Sequence, residues 1–266
     1  MLEKDHGGSK HTNLKSIKMN NKLIVTILCL VFALQSDAQM AEGMITYNRK
    51  TDWISIMSKL SYLSSEEVDR MRLTWGNSDD NKGRNYELYF KDNKTVYTYK
   101  EEESESGYSW RKSEFMLIRD YKDKKIKDIK EDLGVKFLVE DEMPKTRWKI
   151  LNEIKEIEGY LCMKAETKDT IKNQTIHAWF SDAIAFNGGP EGYGGLPGMI
   201  LELDINDGDA VITATKVDLE TPLDKLPIPK KMKGKKVDTA KLNDMIAEFI
   251  DESIEGQKNP YWRIRY

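Results

Sequence analysis

The clearest pattern in the chain begins at residue 84, where apolar and polar side chains alternate. Tyr86, Leu88 and Phe90 fall on one side of the period and Glu87, Tyr89 and Lys91 on the other, the signature of a half-buried β-strand. Asp92-Asn93-Lys94 turns the chain, and Thr95–Lys100 returns as a second strand. The same reading predicts an opening strand at 43–50 and further strands at Phe115–Tyr121, Lys125–Lys130, Val135–Glu140, Thr146–Glu153, Gly159–Thr167, Thr175–Ser181, Met199–Ile205 and Ala210–Val217. Asn206-Asp207-Gly208-Asp209 joins the last pair, a strong hairpin signal. Two stretches change period. Trp53, Met57, Leu60 and Leu63 stand at helical spacing within 52–72, and Ser64-Ser65-Glu66-Glu67 has the Ser-x-x-Glu form of a capping box. Leu242, Met245, Ile246, Phe249 and Ile250 form an amphipathic stripe over 238–255, with Asp238 or Thr239 as cap and Gly256 as stop.

These elements predict a mainly β (α+β) protein. The expected architecture is one twisted antiparallel β-meander, open or partly rolled, with an N-terminal helical segment and a C-terminal amphipathic helix. A curved sheet carrying helices on its concave side resembles lipoprotein-carrier folds. Four segments follow: 1–38 as N-terminal extension and signal peptide, 39–221 as the sheet domain, 222–237 as a Pro- and Lys-rich connector, and 238–266 as helix and tail.

Composition narrows the function classes. Of the 266 residues, 33% are charged and 39% hydrophobic, with a net charge of −3. This leaves enough apolar residue for a core, and it excludes a bulk basic nucleic-acid binder. Residues 23–34 carry no charge. Such a run is too short for a membrane-spanning helix, which needs about 20 residues, and it fits the apolar region of a secretory signal. Met19 is a second candidate start. Ser36 and Ala38 set cleavage between Ala38 and Gln39, which makes the expected location the periplasm, free or associated with the outer membrane. Cleavage would leave His177 as the sole histidine and Cys162 as the sole cysteine. A structural zinc site wants four ligands, so no metal and no cofactor is expected.

The segment 188–198, Gly-Gly-Pro-Glu-Gly-Tyr-Gly-Gly-Leu-Pro-Gly, has the most character and holds six of the chain's 17 glycines. A phosphate-binding loop would need Gly-Lys-Ser/Thr running into a helix, and neither is present. A dinucleotide fingerprint fails because Pro197 falls where it needs glycine. Leu196-Pro197-Gly198 suits a type II turn, with positive φ at Gly198. Gly189, Pro190, Tyr193, Gly195, Leu196, Pro197 and Gly198 are therefore the candidate ligand or partner loop, with a structural loop as the competing reading. Glu191, in the same loop, carries no evident backbone demand, and its replacement by alanine is expected to be neutral.

Gly195-Leu196-Pro197-Gly198-Met199-Ile200 resembles the signature of the GLPGLI family, with Met199 where the family name has leucine. Ile157–Ala165, Ala178-Trp179-Phe180 and Gly189-Pro190 are similar to the family's stretches ahead of that signature, so the resemblance covers about residues 43–217. It implies an exported protein of Gram-negative bacteria and transfers no catalytic residue.

Other chemistry is weaker. Cys162 and His177 fall on neighbouring predicted strands, so a Cys/His hydrolase, with Asp182 as orienting group, is an alternative. The methionines are scattered, which favours core packing over copper binding. Lysines between 225 and 236 can meet anionic head groups or an acidic partner, though a solvated linker explains them as well. The leading expectation is a non-catalytic periplasmic binding or envelope-assembly protein, holding an apolar ligand or partner segment between sheet and helices. A structural accessory of an outer-membrane complex is the third reading. The ligand or envelope partner is not specified by the sequence, and peripheral contact with a membrane or an outer-membrane protein fits the lysine run.

Overall fold

The computed structural model describes residues 42–75, 83–100 and 115–266. The expected export signal lies outside the described residues, as does the acidic run Glu101-Glu102-Glu103-Ser104-Glu105, whose composition reads as a solvated loop. Among those described, twelve strands form one sheet. They are β1 (Gly43–Thr51), β2 (Arg84–Lys91), β3 (Lys94–Tyr99), β4 (Met116–Asp120), β5 (Lys125–Asp132), β6 (Val135–Glu142), β7 (Lys149–Ile157), β8 (Tyr160–Asp169), β9 (Gln174–Ser181), β10 (Met199–Ile205), β11 (Ala210–Asp218) and β12 (Lys235–Val237). Three helices accompany them: α1 (Trp53–Ser58), α2 (Ser65–Trp75) and α3 (Thr239–Glu255). The fold is the expected mainly β open sheet with few helices.

The order across the sheet is β12-β6-β5-β4-β3-β2-β1-β11-β10-β9-β8-β7. The chain runs outward from β1 to β6, crosses to the far edge, and returns from β7 to β11 beside β1. Only residues 143–148 make that crossing. Fully extended they reach about 20 Å, while ten strand spacings amount to roughly 48 Å. The sheet must therefore curl until β6 and β7 approach each other. Contacts across the roll agree with this: the Tyr97 hydroxyl of β3 donates to the Glu191 carboxylate at 3.2 Å, and Arg119 Nε of β4 to the Gly192 carbonyl at 3.3 Å, both in the loop between β9 and β10.

Register defines the inner face. Ile45, Leu88, Tyr97 and Leu117 oppose one another on successive strands, and the row continues to Asp128 and Val139. On the other half, Ile150, Ala165, Ala178, Leu203, Ile212 and Arg49 form a matching row. Side chains directly opposite share a face, so both rows look into one interior. Tyr47, Phe90, Tyr97, Phe180 and Phe186 fill it and are fully buried. Asp128 interrupts the first row with a carboxylate, which the Arg119 guanidinium grips with two bonds, Nη2–Oδ2 at 3.1 Å and a second from Nη1 to Oδ1. Beyond it, Leu242, Ile246 and Ile250 of α3 pack on Ile126, Phe137 and Val139 in a second cluster.

Local signals set most element ends. The two-residue links Asp92-Asn93, Leu133-Gly134 and Glu158-Gly159 all hold positive φ, as type I′ hairpin turns require. Ser64 and Glu67 exchange capping bonds, Ser64 N to Glu67 Oε2 at 2.9 Å and Glu67 N to Ser64 Oγ at 3.3 Å. Asp52 caps α1 and Asp238 caps α3 through bonds to Ser55 N and Lys241 N.

Two strands differ from the expectation. The strand predicted at 146–153 runs from Lys149 to Ile157, because the Glu158-Gly159 turn pairs Ile157 with Tyr160 and carries the ladder to that point. The connector 222–237 ends in β12, which lies parallel to β6, with Lys235 opposite Phe137 and Val237 opposite Val139. The sheet is thus mixed. Lysine is a usual residue on an exposed edge strand, so Lys235 and Lys236 gave no alternation to read.

Candidate functional site

The loop 188–198 folds over the inner face between β9 and β10. Gly189 lies against Ile200, where a Cβ would come within 2.6 Å of the Ile200 Cβ. Pro190 and Leu196 are buried. Tyr193 packs edge-on against Trp148, with centroids 6.0 Å apart, and burial pushes its hydroxyl pKa up. The Gly195 N–H donates to the Asn187 carbonyl at 3.0 Å, and Pro197 is exposed. At Gly198, φ is +146°, and an added Cβ would sit 2.1 Å from the Ser181 carbonyl oxygen. The expected type II turn is absent. The Gly198 N–H instead bonds the Leu196 carbonyl at 2.8 Å, a three-residue γ-turn centred on Pro197. The close passage past Ser181 forces this tighter turn.

Glu191 is the residue this loop exists to place, contrary to the expectation that it is dispensable. Its backbone holds φ 54°, and its side chain reaches into a buried charge cluster. Arg265 grips it through Nε and Nη2, both at 2.6 Å, and the Tyr97 hydroxyl donates at 3.2 Å. Arg49 Nε stands 3.6 Å from the same carboxylate. Burial alone would push the Glu191 pKa up; the charge and hydrogen bonds of Arg265, followed by Arg49 and Lys172, outweigh it and hold the carboxyl below the usual range. The Arg265 guanidinium lies 4.1 Å from the Phe115 ring centre and 4.9 Å from that of Tyr86, a cation–π arrangement. Lys172 Nζ donates to the Arg265 carbonyl at 2.7 Å, and Arg49 Nη2 to the Tyr266 carbonyl at 2.8 Å.

A second buried carboxylate ties the same segment down. Asp209 accepts from the Ser55 hydroxyl at 2.6 Å, from Lys59 Nζ at 2.7 Å and from the Tyr266 hydroxyl at 2.5 Å. The final residues 263–266 are therefore a strap across the inner face, held by loop 188–198, by the β10–β11 hairpin and by Asp132, which accepts the Arg265 N–H at 3.2 Å. Arg49, Arg265 and Asp209 escaped the sequence reading. One signal was present: Tyr261-Trp262-Arg263-Ile264-Arg265-Tyr266 is dense in aromatic residues and unlike a solvated tail.

Cys162 and His177 do not form a pair. Register places Glu166 opposite His177, and Cys162 stands four residues further along β8, roughly 13 Å away. The thiol is buried and bonds to the Tyr160 carbonyl at 3.4 Å; burial pushes its pKa up to about 11. His177 sits between two carboxylates, Glu166 at 3.3 Å and Asp207 at 3.3 Å. No group of three or more His, Cys, Asp or Glu among the described residues is arranged to hold a metal ion.

Fold and site together define a mainly β domain whose glycine loop and C-terminal strap are locked by buried ion pairs. The sequence profile of the family described as N-glycanase peptide, N-terminal domain, matches residues 78–244, and the chain belongs to that family. Two solved structures of PNGF-II, in the P21 and C2 space groups, share the fold. Each has a TM-score of 0.50 and covers 77% of this chain, at 18% and 17% identity. The matched region makes up 33% and 32% of those chains, so this chain corresponds to about a third of their length. At this identity the likeness is one of fold alone. Comparison with curated proteins gave no match.

Proposed function

We propose that this chain is a non-catalytic, exported binding domain of a glycanase-related protein, and that it recognises glycan-bearing molecules. The observation that carries the non-catalytic part is the fate of the buried charges. Arg265 and Arg49 are engaged by Glu191, Arg49 also donates to the Tyr266 carbonyl, and Asp209 accepts from the Tyr266 hydroxyl, Ser55 and Lys59, so that together they fasten a loop and a strap. Cys162 is kept as a protonated thiol by burial, which opposes nucleophilic chemistry. The family's description supports the glycan part, and the GLPGLI-like signature at 195–200 supports export, with the mature protein beginning at Gln39.

The ligand's place differs from the initial expectation. The space between sheet and α3 is filled by Leu242, Ile246 and Ile250, so the binding surface in this proposal is on the outside. The test is to incubate the full chain with a glycoprotein bearing N-linked glycans. Retention of the glycoprotein on immobilised protein, without release of free glycan, is the expected result. Glycan release above background would overturn the non-catalytic reading, and absence of retention would overturn the binding reading.

A further inference from the structure

The described residues expose several large hydrophobic side chains, and two of them are tryptophans brought together from distant parts of the chain. Trp75 ends α2 and is 36% exposed; Trp262 closes a 3₁₀ turn (Pro260–Trp262) and is 66% exposed. Their ring centres lie 6.5 Å apart with planes tilted by 60°. The turn that carries Trp262 is firmly mounted. Asn259 caps it through the Tyr261 N–H at 2.8 Å and donates to the Met57 sulfur at 3.0 Å, Pro260 is buried, and Tyr261 packs edge-on against Tyr266 with centroids 4.8 Å apart. One tryptophan is thus anchored behind while its ring stays in water.

Leaving indole surface in water is unfavourable, and an exposed aromatic cluster on a small domain marks a contact site. Two tilted indole faces with charged groups close by suit a ligand that is apolar on one flat face and polar around its edge. A pyranose ring has that character, with C–H groups on a face and hydroxyls at the rim. Exposed Asp69 and Arg72, paired at 2.8 Å on the same helix as Trp75, supply hydrogen-bonding groups of both kinds.

We propose that Trp75 and Trp262 form a stacking platform for a sugar ring of an N-linked glycan; this rests on the glycan-binding reading above. The test is titration of the full chain with N,N′-diacetylchitobiose and with a glycopeptide carrying an N-linked glycan, followed by tryptophan fluorescence and by indole N–H signals in NMR. Trp262→Ala and Trp75→Ala should each weaken binding by about tenfold or more, the range that loss of one aromatic stacking partner gives elsewhere. Trp262→Phe should restore most of the affinity, and melting temperatures should not change. If the wild type binds the glycopeptide and both alanine variants bind equally well, the platform assignment falls while glycan binding stands. If the wild type binds neither probe, both fall. If sedimentation shows a dimer that Trp262→Ala dissolves, the pair is a contact between copies and the assignment falls.

Discussion

The two wings of the rolled sheet carry the same inner face to opposite fates. On the β5–β6 wing, Ile126, Phe137 and Val139 lie beneath Leu242, Ile246 and Ile250 of α3, with Ile264 of the strap beside them. On the β7–β8 wing, Ile150, Ile154 and Leu161 stand in water, 51%, 67% and 64% exposed. Ile154 opposes Met163 and Ile150 opposes buried Ala165, so these isoleucines continue the core-facing side to the edge. Strand pattern is therefore insufficient to determine burial. What separates the wings is a helix and a strap that begin about a hundred residues downstream of β6 and return to cover it. A bulge between Ile150 and Ile154 bends β7, which shields an edge strand from unwanted pairing.

The comparison can be broken most forcefully at the strap. Glu191→Ala leaves Arg265 as a buried cation without its carboxylate, and breaking such a pair costs about 3–5 kcal/mol. Urea unfolding should show this loss, and Arg265→Ala should match it. Acid sharpens the same point. Glu191 has a depressed pKa, so its stabilisation is present above the unfolded carboxyl value of about 4.3 and is lost as pH falls through the lower folded value. The stability gap between wild type and Glu191→Gln should therefore narrow on acidification below about pH 4. Arg265, Arg49 and Lys172, which face this carboxylate, stay charged throughout that range.

The next effect is on the cover itself. Ile246→Ala removes a buried side chain from the interface between α3 and the sheet and should cost about 2–5 kcal/mol by the same measurement. If the loss is small, α3 rests loosely on the wing and the contrast between the wings is weaker than the packing indicates. The smallest effect belongs to the bare wing. Ile154→Ser should change stability by no more than about 0.5 kcal/mol. A large loss there would mean that something covers the β7–β8 wing in solution, which a shift in sedimentation with protein concentration would reveal.

Much of the candidate loop was legible and its central residue was not. The need for glycine at Gly198 follows from local backbone geometry, and Leu196-Pro197-Gly198 announced a turn, although the close approach of Ser181 made it a γ-turn. Glu191 looked like any polar loop residue, because its partner lies 74 positions away and nothing in the loop's composition points to it. Cys162 and His177 shared neighbouring strands as expected, but the register set by Glu158-Gly159 and by the β8–β9 pairing placed them far apart along the ladder.

The sequence by itself determined what depends on neighbours along the chain. Alternation marked the strands, positive-φ pairs such as Asp92-Asn93 set the hairpins, and Ser64 with Glu67 capped a helix. Each of these preferences acts over a few residues and needs no tertiary partner. The tertiary structure alone decided the order of strands, the roll imposed by the short crossing at 143–148, the parallel pairing of Lys235–Val237 with β6, and the marriage of Glu191 to Arg265. These depend on which distant surfaces meet. Ion pairing and backbone pairing across such distances leave no periodic trace in the side chains, whereas burial on one face of a strand leaves one at every second residue.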